Sequence, residues 1–493
     1  MTDKPQEHLD VLIVGAGISG IGAAAHLRGR LPETTFAVLD AKPSYGGTWI
    51  THTYPGIRSD SDLHTFGYGF KPWRGKPIAK AHEILAYMGE VIDEHDLGPH
   101  IRYHHSIASA EWSSASRCWT VAGTDTSRDE PFTITARFLY MCQGYYRHSE
   151  GHRPVWPGME RFQGPIIHPQ NWPDDLEYKD KRVAVIGSGA TAATLIPAMA
   201  PDVELITMVQ RSPTYFRSGR NVNELAEALR EVDTPEEWTH EIVRRRMLFE
   251  SSVFTDRCFS EPEVTRAELL EGVRSRLAPE QHHLVEHAFT PRYLPWRERI
   301  AFVPDGDLFE AINSGKASVT TGEIVQFTET GLELSDGRHV DADIVITATG
   351  FELNVLGDIA FTIDGRPLDF HETVTYLGAM FTGIPNMVWV FGYFRAAWTL
   401  RADMIAEFVC RLLAHMDEKG ADVVVPQLRP GEEDMPLRPW VDPANFNPGY
   451  VRRGLHLLPQ QGDHAPWLHT QDYWRDKDWI PNVDLDDGAL AFY

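Results

Sequence analysis

An α/β fold with two parallel-sheet units and a helical insertion follows from three observations. An apolar run over 9–16, LDVLIVGA, ends in a glycine-rich turn, and small and apolar residues at helical spacing come after it. Such a run reads as a strand buried on both faces. The same order returns at 182–210, where RVAVIGSG leads into a helix and then into VELITMVQ. Between 221 and 290 the strand pattern gives way to helical spacing, and strand signals resume only at 317–351.

Each element has a local reason. TFAVLD at 35–40 is the second strand of a βαβ start. Alternating segments within 101–147, such as CWTVAG and FTITARFLYMCQG, predict a small β region that returns to the first sheet. In the insertion, Leu225, Leu229 and Val232 recur at helical spacing, and Thr234, Pro235 and Glu237 form a helix-start signal with Pro at the first helical position. A long amphipathic helix is predicted over 402–419, with Ile405, Phe408, Val409, Leu412, Leu413 and Met416 on one face and Gly420 closing it. The tail, 425–493, is rich in Pro, Trp and Asp and is expected to wrap the surface. The expected organisation is a first nucleotide unit over 1–155 and 346–493, a second over 156–216 and 291–345, and the helical insertion over 217–290.

Composition narrows the function. The 493 residues carry a formal charge of −24, which argues against binding nucleic acid or anionic lipid through bulk charge. No apolar run reaches the roughly 20 residues of a membrane helix, so membrane insertion is not expected. The first ten residues have no leader pattern. Cys118, Cys142, Cys258 and Cys410 are far apart, which predicts a reduced, cytoplasmic protein. The same spacing argues against a disulfide-reducing flavoenzyme, which needs a close cysteine pair.

Two turns carry nucleotide chemistry. Gly15-x-Gly17-x-x-Gly20 follows a strand and opens a helix, and Asp40 ends the next strand. Gly15 permits the tight turn, Gly17 lets a pyrophosphate approach the backbone, and Gly20 lets helix and strand pack closely. Free N–H groups at the helix start favour phosphate, and Asp40 can accept from a ribose hydroxyl. The second turn is Gly187-x-Gly189-x-x-Ala192, but Arg211 and Ser212 stand where the first unit has its acid. Arginine there suits a 2′-phosphate. The pairing predicts FAD on the first unit and NADPH on the second, with hydride transfer between them. No metal is expected: His283, Glu286 and His287 match a short zinc-protease spacing, but a chain with 22 His residues makes such coincidences common and no distinct third ligand accompanies them.

Just before the second turn stand Phe162, Gly164, His168 and Trp172, followed by Pro173. This spacing resembles the fingerprint of type I Baeyer–Villiger monooxygenases. GGTW at 46–49, YPGIRSDSD at 54–62, GSGATAATLIPA at 187–198, QRSPTY at 210–215, PDGDLF at 304–309, ITATG at 346–350 and GIPNM at 383–387 are similar to the ethionamide-activating branch of that family. The resemblance runs along nearly the whole chain.

By that resemblance, Ser19, Asp40, Thr48, Trp49, Asp60 and Ile107 would touch FAD. Arg58, Ser59, Asp60, the turn Gly187, Ser188, Gly189, Ala190, Thr191, Ala192 and Ala193, and Arg211 with Ser212 would touch NADP. Arg299 takes the place of the family's catalytic arginine, with Asp60 as its partner. Many members carry Lys just before that arginine, where this chain has Glu298. The implied reaction inserts one oxygen of O2 into a ketone through a C4a-peroxyflavin to give an ester or lactone. Oxygenation of sulfides or thioamides is implied beside it. Trp398 and Thr399 are candidates for the substrate wall. Two other readings stay open: a sulfur- or nitrogen-oxygenating flavin monooxygenase, and a flavin-binding protein without catalysis.

Overall fold

The structure, a computed structural model, describes residues 7–443, 446 and 448–493. Residues 1–6, part of the stretch read for a leader, lie outside the described residues.

The larger sheet has a parallel half and a mostly antiparallel half that share one strand. Ile101–Arg102, Phe36–Leu39, His8–Val14, Glu130–Met141 and Met387–Trp389 run parallel. The 12-residue strand Glu130–Met141 also pairs antiparallel with Cys118–Asp125, which continues to His105–Ser113. Val14 is in register with Leu39 and with Met141, so three strands end side by side. In open α/β sheets ligands bind outside such carboxyl ends. Helix Ile18–Arg30 packs on the long helix Trp398–Lys419 over this sheet.

The smaller sheet is wholly parallel, in the order Ala317–Thr321, Leu205–Gln210, Arg182–Ile186, Ile344–Thr347, Ile166–Ile167. Helix Ala190–Met199 buries Ala192, Ala193, Leu195 and Ile196 against it. Two antiparallel strands, Tyr146–Gly151 and Phe351–Leu353, carry the chain between the sheets.

Between the strands Tyr215–Gly219 and Ile300–Pro304 lie the helices Glu224–Glu231, Glu236–Ser260, Pro262–Arg274 and His283–Ala288. Two local expectations shift here. The Leu225–Leu229–Val232 stripe does not set a packed face: Ala226 is the buried residue, Leu225 is exposed, and Val232 lies beyond a helix that ends at Glu231. Pro235 takes the cap position rather than the first helical position, and the helix starts at Glu236. The predicted helix 402–419 begins four residues earlier, at Trp398.

The tail does more than cover the surface. Trp440, Trp467, Asp476 and Ile480 are 1%, 0%, 0% and 0% exposed. Aromatic rings of this size stabilise by burial wherever a cavity accepts them, and here the tail threads them into the interior behind the first sheet.

Candidate active site

A cavity of about 620 Å³ opens at the carboxyl ends of the parallel strands of the first sheet. Gly15, Gly17, Ser19, Asp40, Thr48, Trp49, Asp60 and Ile107 all line it. A β-carbon on Gly20 would lie 1.8 Å from the Gly15 carbonyl oxygen, so only glycine lets the helix start against the turn. The Asp40 carboxylate accepts from the Ala16 N–H at 2.7 Å and the Lys42 N–H at 2.8 Å. Burial pushes its carboxyl up, against those two bonds. Ser19 Oγ accepts from the indole N–H of Trp398 at 2.8 Å, and Thr48 Oγ1 lies 3.0 Å from the Tyr146 hydroxyl.

Three buried acceptor-capable atoms in this lining, His52 Nδ1, Gln143 Oε1 and His148 Nδ1, have no protein partner among the described residues. Buried polar atoms in native proteins are nearly always satisfied. Their orphaning inside a cavity fits a polar ligand such as a dinucleotide.

Arg299 and Asp60 meet in the same cavity, Nη2 to Oδ2, at 3.2 Å. The Arg299 side chain is 49% accessible, and that surface faces the cavity. The Asp60 carboxylate raises the guanidinium pKa above its ordinary value, against desolvation. Arg58 also lines the cavity but is held by Asp307 (2.5 and 3.2 Å) and by the Ala193 carbonyl (3.4 Å). Ser59 turns inward instead. It is buried, and its hydroxyl accepts from the Ala79 N–H at 3.3 Å.

The second turn reaches the cavity only at its helical end, through Ala190 and Thr191. Ser188 is buried, with its hydroxyl 2.9 Å from Thr214 Oγ1. Gly187 and Gly189 form the turn, while Ala192 and Ala193 sit in the core behind it. Arg211 and Ser212 follow strand Leu205–Gln210 and are exposed. Burial raises the Glu298 pKa, while the charges of Arg452 and Arg211 lower it. The acid thus stands within the field of the arginine expected to read a phosphate.

The fingerprint residues form a joint, and they lie outside the cavity lining. Phe162 packs edge-on against Phe327. A β-carbon on Gly164 would lie 2.0 Å from the Asp343 carbonyl oxygen, so glycine is needed where the linker crosses the second sheet. His168 is 4% exposed. Its Nε2–H donates to the Gly350 carbonyl at 3.2 Å and its Nδ1 accepts from the Gln170 N–H at 3.2 Å. The ring is therefore neutral, and burial pushes its pKa down to about 4. Trp172 packs on the core of the second unit.

Trp398 belongs to the cavity wall, but Thr399 does not. Thr399 is fully buried and its hydroxyl donates to the Phe66 carbonyl at 2.6 Å. His283 engages the Glu280 carbonyl through Nδ1 at 3.0 Å. No group of three His, Cys, Asp or Glu among the described residues is arranged to hold a metal ion.

Motif reading missed the aromatic wall. Tyr145 stacks on Trp398 at 5.3 Å and lies near Tyr450 at 6.1 Å. Phe391, Tyr393 and Phe394 add to it. Their signal was position: Tyr145 and Tyr146 follow the end of strand Glu130–Met141, where ligands bind. Tyr393 is fixed from behind, its hydroxyl donating to Asp476 at 2.8 Å. Asp476 also pairs with buried Arg401 and accepts from Thr470 at 2.5 Å.

Residues 77–221 match the flavin-binding monooxygenase-like family, and residues 13–75 match an NAD(P)-binding Rossmann-like domain. The chain is 46% identical over 488 residues to the FAD-containing monooxygenase EthA of Mycobacterium tuberculosis, covering 99% of this chain and 98% of that protein. It is 42% identical over 489 residues to the probable FAD-binding monooxygenase AlmA of Acinetobacter baylyi, covering 99% and 96%. Among solved structures, an oxidized steroid monooxygenase bound to NADP matches with a TM-score of 0.73 at 23% identity, over 98% of this chain and 99% of that one. An ε-caprolactone-bound cyclohexanone monooxygenase matches at 0.69 and 22%, over 86% and 90%; both share the fold. With identity of this order along its whole length, the chain belongs to the FAD-containing monooxygenase family.

Proposed function

We propose that this chain is an FAD- and NADPH-dependent Baeyer–Villiger monooxygenase that converts ketones to esters or lactones with O2 and also oxygenates sulfides or thioamides. The observation that carries this reading is the Arg299–Asp60 pair at 3.2 Å inside the cavity at the strand ends. A flavin bound there supplies hydride acceptance and oxygen activation. The FAD-side residues are Gly15, Gly17, Ser19, Asp40, Thr48, Trp49 and Ile107. The NADP side is Arg58 and the helix start at Ala190 and Thr191, with Arg211 and Ser212 further out.

The chain's own residues do the rest. Baeyer–Villiger chemistry needs a negative charge held unprotonated at an oxygen atom. Arg299 cannot deprotonate, and Asp60 makes proton loss harder still. A guanidinium held beside Asp60 in the cavity wall acts on charge that develops next to it. The aromatic wall of Tyr145, Trp398, Phe391 and Phe394 excludes water and suits an apolar substrate. Buried, free cysteines at all four positions accord with a reducing compartment such as the cytoplasm. Among the described residues no helix is long and apolar enough to cross a membrane.

The test is product analysis. The yellow holoenzyme is incubated with NADPH and either 2-octanone or a thioether, beside an Arg299→Ala variant that still binds FAD. Ester from the wild type and a loss of at least about 100-fold in the variant are expected, the range seen when a charge-stabilising donor is removed. Sulfoxide with no ester would favour the heteroatom reading. NADPH left unconsumed would favour a flavin-binding protein.

A further inference from the structure

The longest helix of the insertion, Glu236–Ser260, carries an apolar stripe on the side opposite its packed face. The packed face buries His240, Val243, Arg244, Leu248 and Cys258. The stripe points outward with Trp238 65% exposed, Ile242 38%, Phe249 53% and Val253 41%. At 3.6 residues per turn these four fall within about 60° of arc and span about 22 Å. The outer face of a surface helix is ordinarily polar, and an apolar stripe left outside marks an interaction surface.

The spacing selects the occupant. The four positions are separated by 4, 7 and 4 residues, so the stripe reads the same from either end. Its midpoint lies between Arg245 and Arg246. A second copy laid antiparallel about a two-fold axis through that midpoint places Trp238 over Val253 of the other copy, and Ile242 over Phe249. In each case a larger side chain meets a smaller one. The charges obey the same symmetry: Arg245 pairs with Glu241, and Arg246 with Glu250 at 2.6 Å. Between Trp238 and Val253 the face is therefore neutral in a chain of charge −24, and two copies can meet along that stripe without the repulsion expected elsewhere. That neutrality also offers nothing to an anionic lipid surface, which recruits clustered basic residues.

We propose that this helix face is an isologous homodimer interface, two copies of Glu236–Ser260 packing antiparallel about the Arg245–Arg246 midpoint. Closed two-fold dimers are the commonest assemblies of soluble proteins. The four side chains supply roughly 400 Å² per copy, about half of the roughly 800 Å² per partner in a standard interface. The dimer is therefore concentration-dependent.

Sedimentation velocity of the holoenzyme from about 1 to about 100 µM tests it, a range that brackets micromolar affinity. The mass should rise from one copy to two. Trp238→Glu with Phe249→Glu should move the midpoint at least about tenfold higher, the size of effect expected when an interface anchor is lost, with NADPH oxidation unchanged. Register is read independently of that variant. Trp238→Cys protein mixed with Val253→Cys protein should form a mixed disulfide, while Trp238→Cys alone should not, because the two copies of position 238 lie about 22 Å apart. The native cysteines are all buried and leave the readout clean. A monomer throughout the range, a dimer indifferent to the Glu substitutions, or self-linking at position 238 would each overturn the proposal. So would a monomer that binds phosphatidylcholine vesicles through Trp238.

Discussion

The imidazole of His168 donates to the Gly350 carbonyl at 3.2 Å while accepting from Gln170. It thereby ties the linker that follows strand Ile166–Ile167 to the residue just before one connecting strand. Gly350 precedes Phe351–Leu353, and Gly151, directly under the His168 ring, ends Tyr146–Gly151. A residue outside the cavity thus holds both crossings between the two sheets.

Replacing His168 by Ala should therefore affect the movement of one nucleotide unit against the other more than cofactor binding. A buried hydrogen bond with its acceptor left unpaired costs about 1–3 kcal/mol. We expect FAD content to be retained and flavin reduction by NADPH to slow at least about tenfold, which is 1.4 kcal/mol. Stopped-flow absorbance of the flavin measures it; an unchanged reduction rate would refute the joint.

Acid stability follows from three buried imidazoles. His52, His64 and His168 are each pushed down to about 4, chiefly by burial. Between about 4 and the ordinary 6.5 the unfolded chain binds protons that the folded chain does not. Stability is then full above 6.5 and falls as pH drops toward 4, by up to about 3 kcal/mol per residue. Urea midpoints should decline steadily from pH 7 to pH 5. A flat profile over that window would show these rings to be protonated in the fold.

Tyr393 and Asp476 can be separated by mutation. Tyr393→Phe keeps the ring in the cavity wall but frees it from Asp476, so KM for a ketone should rise several-fold with kcat nearly constant. Asp476→Asn leaves the fully buried Arg401 charge without its counter-ion, a loss of about 3–5 kcal/mol. A Tyr393→Phe enzyme with unaltered KM and product ratio would rule out the wall's dependence on this contact.

Coenzyme preference should respond to two positions. Arg211→Ala should raise KM for NADPH about tenfold or more and leave NADH use alone, since a charged phosphate contact is worth about 1.5–3 kcal/mol. Glu298→Lys removes an acid from the field of Arg211 and should lower KM for NADPH. Steady-state kinetics with both coenzymes decide; equal effects on NADPH and NADH would remove Arg211 from phosphate recognition.

Legibility differed by element. Both glycine turns could be read because backbone chemistry constrains them locally: Gly20 meets the Gly15 carbonyl whatever the rest of the chain does. The tail could not be read. Trp440 and His469 stack at 3.6 Å deep behind the first sheet, yet a Pro- and Asp-rich stretch has no periodicity to reveal such partners. Leu225 and Val232 misled for the opposite reason, since helical spacing without a surface to pack on does not bury a residue. Thr399 misled through its neighbour: one helical step turns it from the cavity beside Trp398 to the backbone carbonyl of Phe66.

What this sequence determined alone was the strand–turn–helix start of each nucleotide unit, the two turns between strand and helix, and the residue types of the joint. These depend on neighbours within a few positions, on steric fit and on hydrogen-bonding chemistry. Only the tertiary structure decided that Tyr145 stacks on Trp398, that Asp476 holds Tyr393, and that Trp238 is left outside. Each of these is a meeting or a separation of surfaces far apart along the chain, set by the packing of the whole and written in no local pattern.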